Sequence, residues 1–148
     1  MSEEIIKGIT CGAMDLFHAG HVLMLKSCKK HCNYLIVCLH TNPQLDRPTK
    51  NKPVQSLVER YIQLSGNKYV DEIIPYETEA DLVEIFKGID FDKRFLGEDW
   101  KGEEFTGHDL PGMKDKVIFN KREHDYSSSG LRRRVAEGES LETQRKKK

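Results

Sequence analysis

Thr10-Cys11-Gly12-Ala13-Met14-Asp15-Leu16-Phe17-His18-Ala19-Gly20-His21 joins two segments of different periodicity. Before it, Ile5-Ile6-Lys7-Gly8-Ile9 is short, apolar and partly β-branched, the pattern of a buried strand. After it, Val22-Leu23-Met24-Leu25-Lys26-Ser27-Cys28 repeats its apolar residues at helical spacing, and a first helix is expected from Gly20 to Lys30. The stretch is therefore a strand-to-helix turn carrying a glycine, an aspartate and two histidines. A helix start offers free N–H groups and the positive end of a dipole, so phosphate is the ligand such a turn suits. Gly12 and Gly20 leave the backbone open to close approach. His18 and His21, at i and i+3, can face one side of the helix entry and donate to oxygens whose charge grows in a transition state. The plainer alternative is a helix N-terminus with two surface histidines.

Outward from the turn, Leu35-Ile36-Val37-Cys38-Leu39 is an unbroken apolar run, as in a central parallel strand covered on both faces. With the helix before it, this makes a βαβ unit with a right-handed crossover. The loop His40 to Val54 carries Pro43, Pro48 and Pro53 with the basic residues Arg47, Lys50 and Lys52. It leaves the carboxyl edge of a parallel strand, where open α/β sheets bind ligands, and a lysine there can reach a triphosphate. A solvated basic loop is the alternative. Ser56 caps a helix Leu57 to Ser65 that carries Glu59-Arg60 and ends at Gly66. A third strand, Val70 to Pro75, is stopped by its proline. A helix from Glu79 to Lys87 follows, ended by Gly88, and then a fourth strand, Phe91 to Leu96, interrupted by Asp92, Lys93 and Arg94.

Gly97-Glu98-Asp99-Trp100-Lys101-Gly102 sits directly after that strand. Its lone tryptophan is either a base or ribose platform or a surface-packed loop residue. Glu103 to Met113 is expected to be a mobile loop, and Lys116 to Phe119 a fifth strand. Ser127, Ser128 and Ser129 then open the last helix with a cap, hydroxyls and free N–H groups, and Arg132 lies one turn in. From Glu137 the chain is polar and ends in Arg145-Lys146-Lys147-Lys148, expected to be a frayed, solvated extension. The fold expected is α/β, a Rossmann-like doubly wound five-stranded parallel sheet in one domain over residues 1–137, with a polar tail over 138–148.

With 148 residues, the chain is long enough for one real core. Its formal net charge is zero, so nothing global draws it to nucleic acid or an anionic membrane. No apolar run approaches a membrane span, and the acidic Met1-Ser2-Glu3-Glu4 lacks a signal-peptide pattern, so a cytoplasmic protein is expected. Neither a Walker A pattern nor a Gly-x-Gly-x-x-Gly follows a strand, which weighs against P-loop and dinucleotide enzymes. Cys28 and Cys32 flank His31 without a second ligand pair for zinc. Together with Cys11 and Cys38 they are expected to be buried, reduced thiols.

Gly12 to His21 resembles the HxGH motif of the cytidylyltransferase-like nucleotidyltransferases, and its place between first strand and first helix strengthens the match. The resemblance runs from Ile6 to Arg134 and is nearest to the glycerol-3-phosphate cytidylyltransferases. Supporting segments, in family order, are a lysine-bearing loop leading to Arg60, Tyr69 to Pro75, Gly97 to Gly102, and Arg122 to Ser129, which is similar to Arg-Thr-Glu-Gly-Ile-Ser-Thr-Thr. Met14 replaces the usual aromatic residue, Lys68 stands where an arginine is usual, and His124-Asp125-Tyr126 stands for Glu-Gly-Ile. Asp125 is expected to take the left-handed backbone that the glycine would.

The resemblance implies transfer of CMP from CTP to a small phosphomonoester, glycerol 3-phosphate or a similar polyol phosphate, with release of pyrophosphate. It implies Mg²⁺ travelling with the triphosphate and no covalent enzyme intermediate. His18 and His21 would stabilise the transition state, Lys50 or Lys52 would neutralise phosphate charge, and Arg122, Ser127, Ser128 and Ser129 would hold the triphosphate. Gly12, Ala13, Met14, Gly20, Glu98, Asp99 and Trp100 would lie against the nucleotide. Asp15 would shape the turn or support the metal ion, and Arg60 would meet the acceptor phosphate. No protein metal site is implied, and a homodimer through Tyr69 to Ile74 is. An adenylyltransferase using ATP with a sugar phosphate or cofactor precursor is the second reading. A nucleotide-binding regulator without catalysis is the third.

Overall fold

The computed structural model describes residues 4–147. Strand and helix alternate: β1 (Lys7–Gly12), α1 (Ala19–Lys29), β2 (Tyr34–His40), α2 (Leu57–Ser65), β3 (Glu72–Tyr76), α3 (Glu79–Gly88), β4 (Lys93–Gly97), α4 (Met113–Lys116), β5 (Val117–Asn120) and α5 (Ser128–Lys146). The five strands are all parallel, in the order β3-β2-β1-β4-β5. The winding reverses between β1 and β4, and a crevice at such a switch point is where this architecture binds ligands.

β2 shows why the sheet is covered on both faces. Leu35, Val37 and Leu39 join one core with Leu25 and Cys28 of α1 and Leu64 of α2. Ile36 and Cys38 join the other with Leu82 and Phe86 of α3 and with Phe91. Each such fully buried aliphatic side chain contributes about 1.5–3 kcal/mol. Cys28 and Cys32 pack in the first core, and burial pushes the Cys28 thiol up to about 12. Cys11 is only half-buried, at the carboxyl end of β1. No helix among the described residues is long and apolar enough to cross a membrane.

Several boundaries differ from expectation for identifiable reasons. β1 starts at Lys7, because the amide and carbonyl of Ile6 are taken by Asn33 and Tyr34, and it runs on to Gly12. β3 continues through Pro75 to Tyr76; it is an edge strand, where a missing N–H is tolerated. Gly88 belongs to α3, which is capped by Ile89. The segment Glu103 to Met113 is packed: Met113 is buried, and the Thr106 hydroxyl donates to Glu79 at 2.8 Å. α5 does not fray at Glu137 but continues to Lys146, exposed from Arg133 onward. Asp125 does not adopt a left-handed backbone; Met14 (φ 52°) and Leu16 (φ 57°) do. These two lie inside the turn, where strain has to be held by surrounding packing, and Met14 is buried.

Candidate active site

Asp15 fixes the turn. Its carboxylate is buried and accepts from the amides of Val54 (2.8 Å) and Gln55 (3.0 Å), while the Gln55 side chain accepts from the Leu16 amide at 2.8 Å. Arg132 of α5 approaches the same carboxylate at 3.7 Å. Asp15 therefore ties the turn to the far end of the basic loop and to the last helix. With both oxygens held by backbone amides, it shapes the turn.

The two histidines order each other. His18 is the N-cap of α1, its Nδ1 accepting from the Gly20 amide at 3.0 Å. Nδ1 of His21 accepts from the His18 amide at 3.1 Å. Both Nδ1 atoms are acceptors, so in the neutral rings both protons sit on Nε2. The ring centroids are 4.0 Å apart, and His21 stacks on Phe17 at 5.7 Å. His18 Nε2 donates to the Ser128 hydroxyl at 3.1 Å, and that hydroxyl donates to the Asp15 carbonyl at 3.3 Å. The N-terminus of α5, capped by Ser127, thus meets the N-terminus of α1 at the turn. A Cβ on Gly20 would stand 2.8 Å from the His18 ring and 2.9 Å from His124, so this crossing needs glycine.

Burial, then His124 and Arg122, lowers the pKa of His18. Burial, then His18, brings His21 down to about 4 against the opposing pull of Asp15. At neutral pH both rings are uncharged donors. Because the folded pKa of His21 lies below its unfolded value, the unfolded chain takes up the proton first. The stability is complete above about pH 6.5 and is lost as the pH falls toward 4. A loss on the order of 3 kcal/mol in unfolding free energy across that window is expected from this shift. Urea titrations at pH 7 and pH 4.5 of wild type and His21→Gln check it; equal acid sensitivity in the two would refute the assignment.

Two chambers open at this turn. The first, about 460 Å³, is bordered by Gly12, Ala13, Met14, Asp15, Lys50 and Ser129, and also by Trp100. The second, about 920 Å³, is bordered by His18, Gly20, Glu98, Asp99, Arg122 and Ser127. Among the described residues, only His21 and Ser128 border both. The Arg122 guanidinium donates to the Tyr126 carbonyl at 2.7 Å and closes the turn into α5.

Not every expected residue arrives. Lys50 borders the first chamber, whereas Lys52 is exposed and borders neither. Trp100 ends the 3₁₀ turn that it shares with Glu98 and Asp99 and lies in the other chamber, with the Arg47 guanidinium 5.5 Å over its ring. Arg60 reaches no chamber. It is 2% exposed and donates to the carbonyls of Gln55 (3.2 Å), Ala13 (3.0 Å), His40 (2.6 Å) and Thr41 (2.6 Å). It is a structural post, placed by the inward face of α2.

The first chamber also holds groups that sequence reasoning did not select: Arg47, Glu79, Arg94 and Tyr76. For Arg94 there was a signal, a cation inside a strand segment. His40, Asp46 and Glu79 bring ligand atoms within 4.8 Å of one another. Protein groups already engage them: His40 Nε2 meets the Glu77 carbonyl at 3.1 Å and Asp46 accepts from the Glu79 amide at 2.5 Å.

Chemically, the junction offers Nε2–H donors and two helix N-termini to an oxyanion. Ser128 receives a proton donor from His18 and has no base, so it is not activated as a nucleophile. Such an arrangement can position an anion and stabilise charge that develops on it.

The family sequence model described as Cytidylyltransferase-like matches residues 9–134. The chain is 30% identical over 129 residues to a glycerol-3-phosphate cytidylyltransferase of Staphylococcus aureus, covering 86% of this chain and 92% of that one. It is 37% identical over 123 residues to a probable ethanolamine-phosphate cytidylyltransferase of Encephalitozoon cuniculi, covering 80% of this chain but 34% of that longer protein. A lipopolysaccharide core biosynthesis protein of Thermoplasma volcanium shares the fold, with a TM-score of 0.63 and 24% identity over 84% of this chain and 100% of that one.

Proposed function

This chain belongs to the cytidylyltransferase-like family of nucleotidyltransferases, and from that premise we propose that it transfers CMP from CTP to a small polyol phosphate of the glycerol 3-phosphate kind. The observation that carries the reading is that His21 and Ser128, alone among the described residues, border both chambers. The nucleotide occupies the second chamber, with its triphosphate at the mouths of α1 and α5. The acceptor occupies the first, beside Lys50. An oxygen of the acceptor phosphate attacks the α-phosphorus in line. The new P–O bond forms as the α–β bridging bond breaks, and pyrophosphate leaves with the electron pair. His18 and His21 donate through Nε2 to oxygens that gain charge in this step, and Lys50 balances the acceptor phosphate. CTP enters as its Mg²⁺ complex, the ion held by the phosphates. The same reading places the protein in the cytoplasm with its nucleotide.

Pyrophosphate release is the test, with CTP, ATP, UTP and GTP each against a panel of phosphomonoesters that includes glycerol 3-phosphate and phosphoethanolamine. CTP-dependent release with a polyol phosphate supports the reading. Release with ATP in preference to CTP would replace it with the adenylyltransferase, and CTP binding without turnover on any acceptor would favour the regulator.

A homodimer is part of the proposal. α2 exposes Val58 (66%), Tyr61 (43%) and Ile62 (63%) beside the edge strand β3, an apolar stripe suited to a second copy. Wild type is expected to sediment as a dimer and Ile62→Glu as a monomer; a monomeric wild type would refute this.

A further inference from the structure

Charge in the first chamber is unevenly matched. Its cations are Arg47, Lys50, Arg94 and Arg132, and its carboxylates are Asp15 and Glu79. Arg132 faces Asp15 at 3.7 Å and Arg47 faces Glu79 at 3.6 Å. Lys50 and Arg94 remain. Lys50, exposed on the loop, serves the reacting phosphate in the reading above, which leaves Arg94 with no carboxylate in contact; Glu79, paired with Arg47, acts on it only from a distance.

Arg94 is an unusual residue to leave unmatched. It is 3% exposed, and among the described residues no carboxylate lies within ion-pair distance of it. Its Cζ is held 4.4 Å from the Phe86 ring centroid and 5.0 Å from that of Phe105. Nη1 donates to the Thr106 carbonyl, but Nε is buried with no partner. Gly107, with φ +85°, lets the chain pass over it: a Cβ there would lie 3.3 Å from Nη1 and 3.0 Å from Phe86. A buried guanidinium with an unmet donor and no counter-ion is costly, and that cost is relieved when a ligand brings an anion. The side chain is therefore aligned and desolvated in advance, with donors to spare.

Its place says which ligand. Arg94 borders the first chamber and not the second, so it lies on the acceptor side of the His21–Ser128 junction. It pairs in register with Ile9, three residues before Gly12, so its Cα lies about 10 Å below the edge where the turn begins. A group reaching it from the junction belongs to an acceptor of several carbons, for which about 460 Å³ is ample. We propose that Arg94 binds a second oxyanion of the acceptor, remote from its reacting phosphate, so that the true acceptor is a polyol phosphate ending in a carboxylate or a second phosphate. This rests on the transfer reading above and narrows its substrate class.

The test compares acceptors that differ chiefly at the remote end. With CTP, kcat/KM is measured for 3-phosphoglycerate against glycerol 3-phosphate, and for 6-phosphogluconate and fructose 1,6-bisphosphate against sorbitol 6-phosphate. The first and second comparisons read a carboxylate and the third a phosphate. A charge-assisted hydrogen-bonded pair predicts a preference of about 30-fold for one anionic class. Arg94→Met is expected to bring the preference within about threefold, and Arg94→Lys to keep part of it. Calorimetry of wild type with 6-phosphogluconate, fructose 1,6-bisphosphate and sorbitol 6-phosphate, without nucleotide, reads the same preference as affinity. Absence of pyrophosphate release would sink the transfer reading, while this calorimetric preference would still decide the role of Arg94. The proposal is overturned if wild type shows no anionic preference by either measure. It is overturned equally if Arg94→Met weakens CTP by the same factor, or lowers both acceptor classes alike together with the melting temperature.

Discussion

His18→Asn is expected to lower kcat by about 10²–10³-fold while changing the dissociation constant of CTP by less than about threefold. Asparagine is a good N-cap, so it preserves the bond that His18 Nδ1 now takes from the Gly20 amide. What it removes is the Nε2–H on the junction side, which donates to the Ser128 hydroxyl. A donor aimed at charge that develops only in the transition state affects rate far more than ground-state binding. His18→Ala should lose the same rate and also about 1 kcal/mol of stability, because the cap goes with the donor. Single-turnover pyrophosphate release, with CTP binding by calorimetry, separates the two losses. If His18→Asn kept its rate within about fivefold, the imidazole would be a cap and nothing more.

The parts legible in the sequence are those whose causes are local. Ser56 and Glu59 form a reciprocal capping box on α2, and the spacing of those residues announces it. Gly20 is legible as a point of close approach, although the approaching groups are the His18 and His124 rings. β2 is legible because a strand covered on both faces must be apolar throughout. Illegible are features set by residues far apart in the chain. That Trp100 and Asp99 face different chambers depends on one 3₁₀ turn. Between Lys50 and Lys52 the choice depends on how Asp15 holds the loop's far end at Val54 and Gln55. The strain at Met14 and Leu16 has no residue signature, since neither favours positive φ. Arg94 was legible as an anomaly, a cation within a strand, but only its burial turns the anomaly into an argument.

Arg60 is the residue for which sequence and structure part most sharply, and its substitution carries the largest expected effect on stability. On the sequence it is a helix residue that the family resemblance assigns to the acceptor phosphate. In the fold it is buried, and its donors satisfy carbonyls from three places: the turn at Ala13, the end of β2 at His40 and Thr41, and the loop end at Gln55. Those carbonyls lie where strand geometry stops and no neighbouring strand can supply their donors. Arg60→Met would keep much of the side-chain volume and leave the buried His40 carbonyl and three half-buried carbonyls without their donor. An expected loss of about 3–5 kcal/mol follows, seen as a fall of about 10 °C or more in melting temperature. Arg60→Lys, with three donors and no fork, should recover about half. The structural role makes a further distinction: below the melting transition, any loss of activity in Arg60→Lys should appear in kcat, through displacement of the turn that carries His18 and His21. If Arg60→Lys instead kept the wild-type melting temperature and raised the acceptor KM more than about tenfold, the guanidinium would be binding substrate after all. The buried carbonyl contacts would then have to open when the acceptor enters.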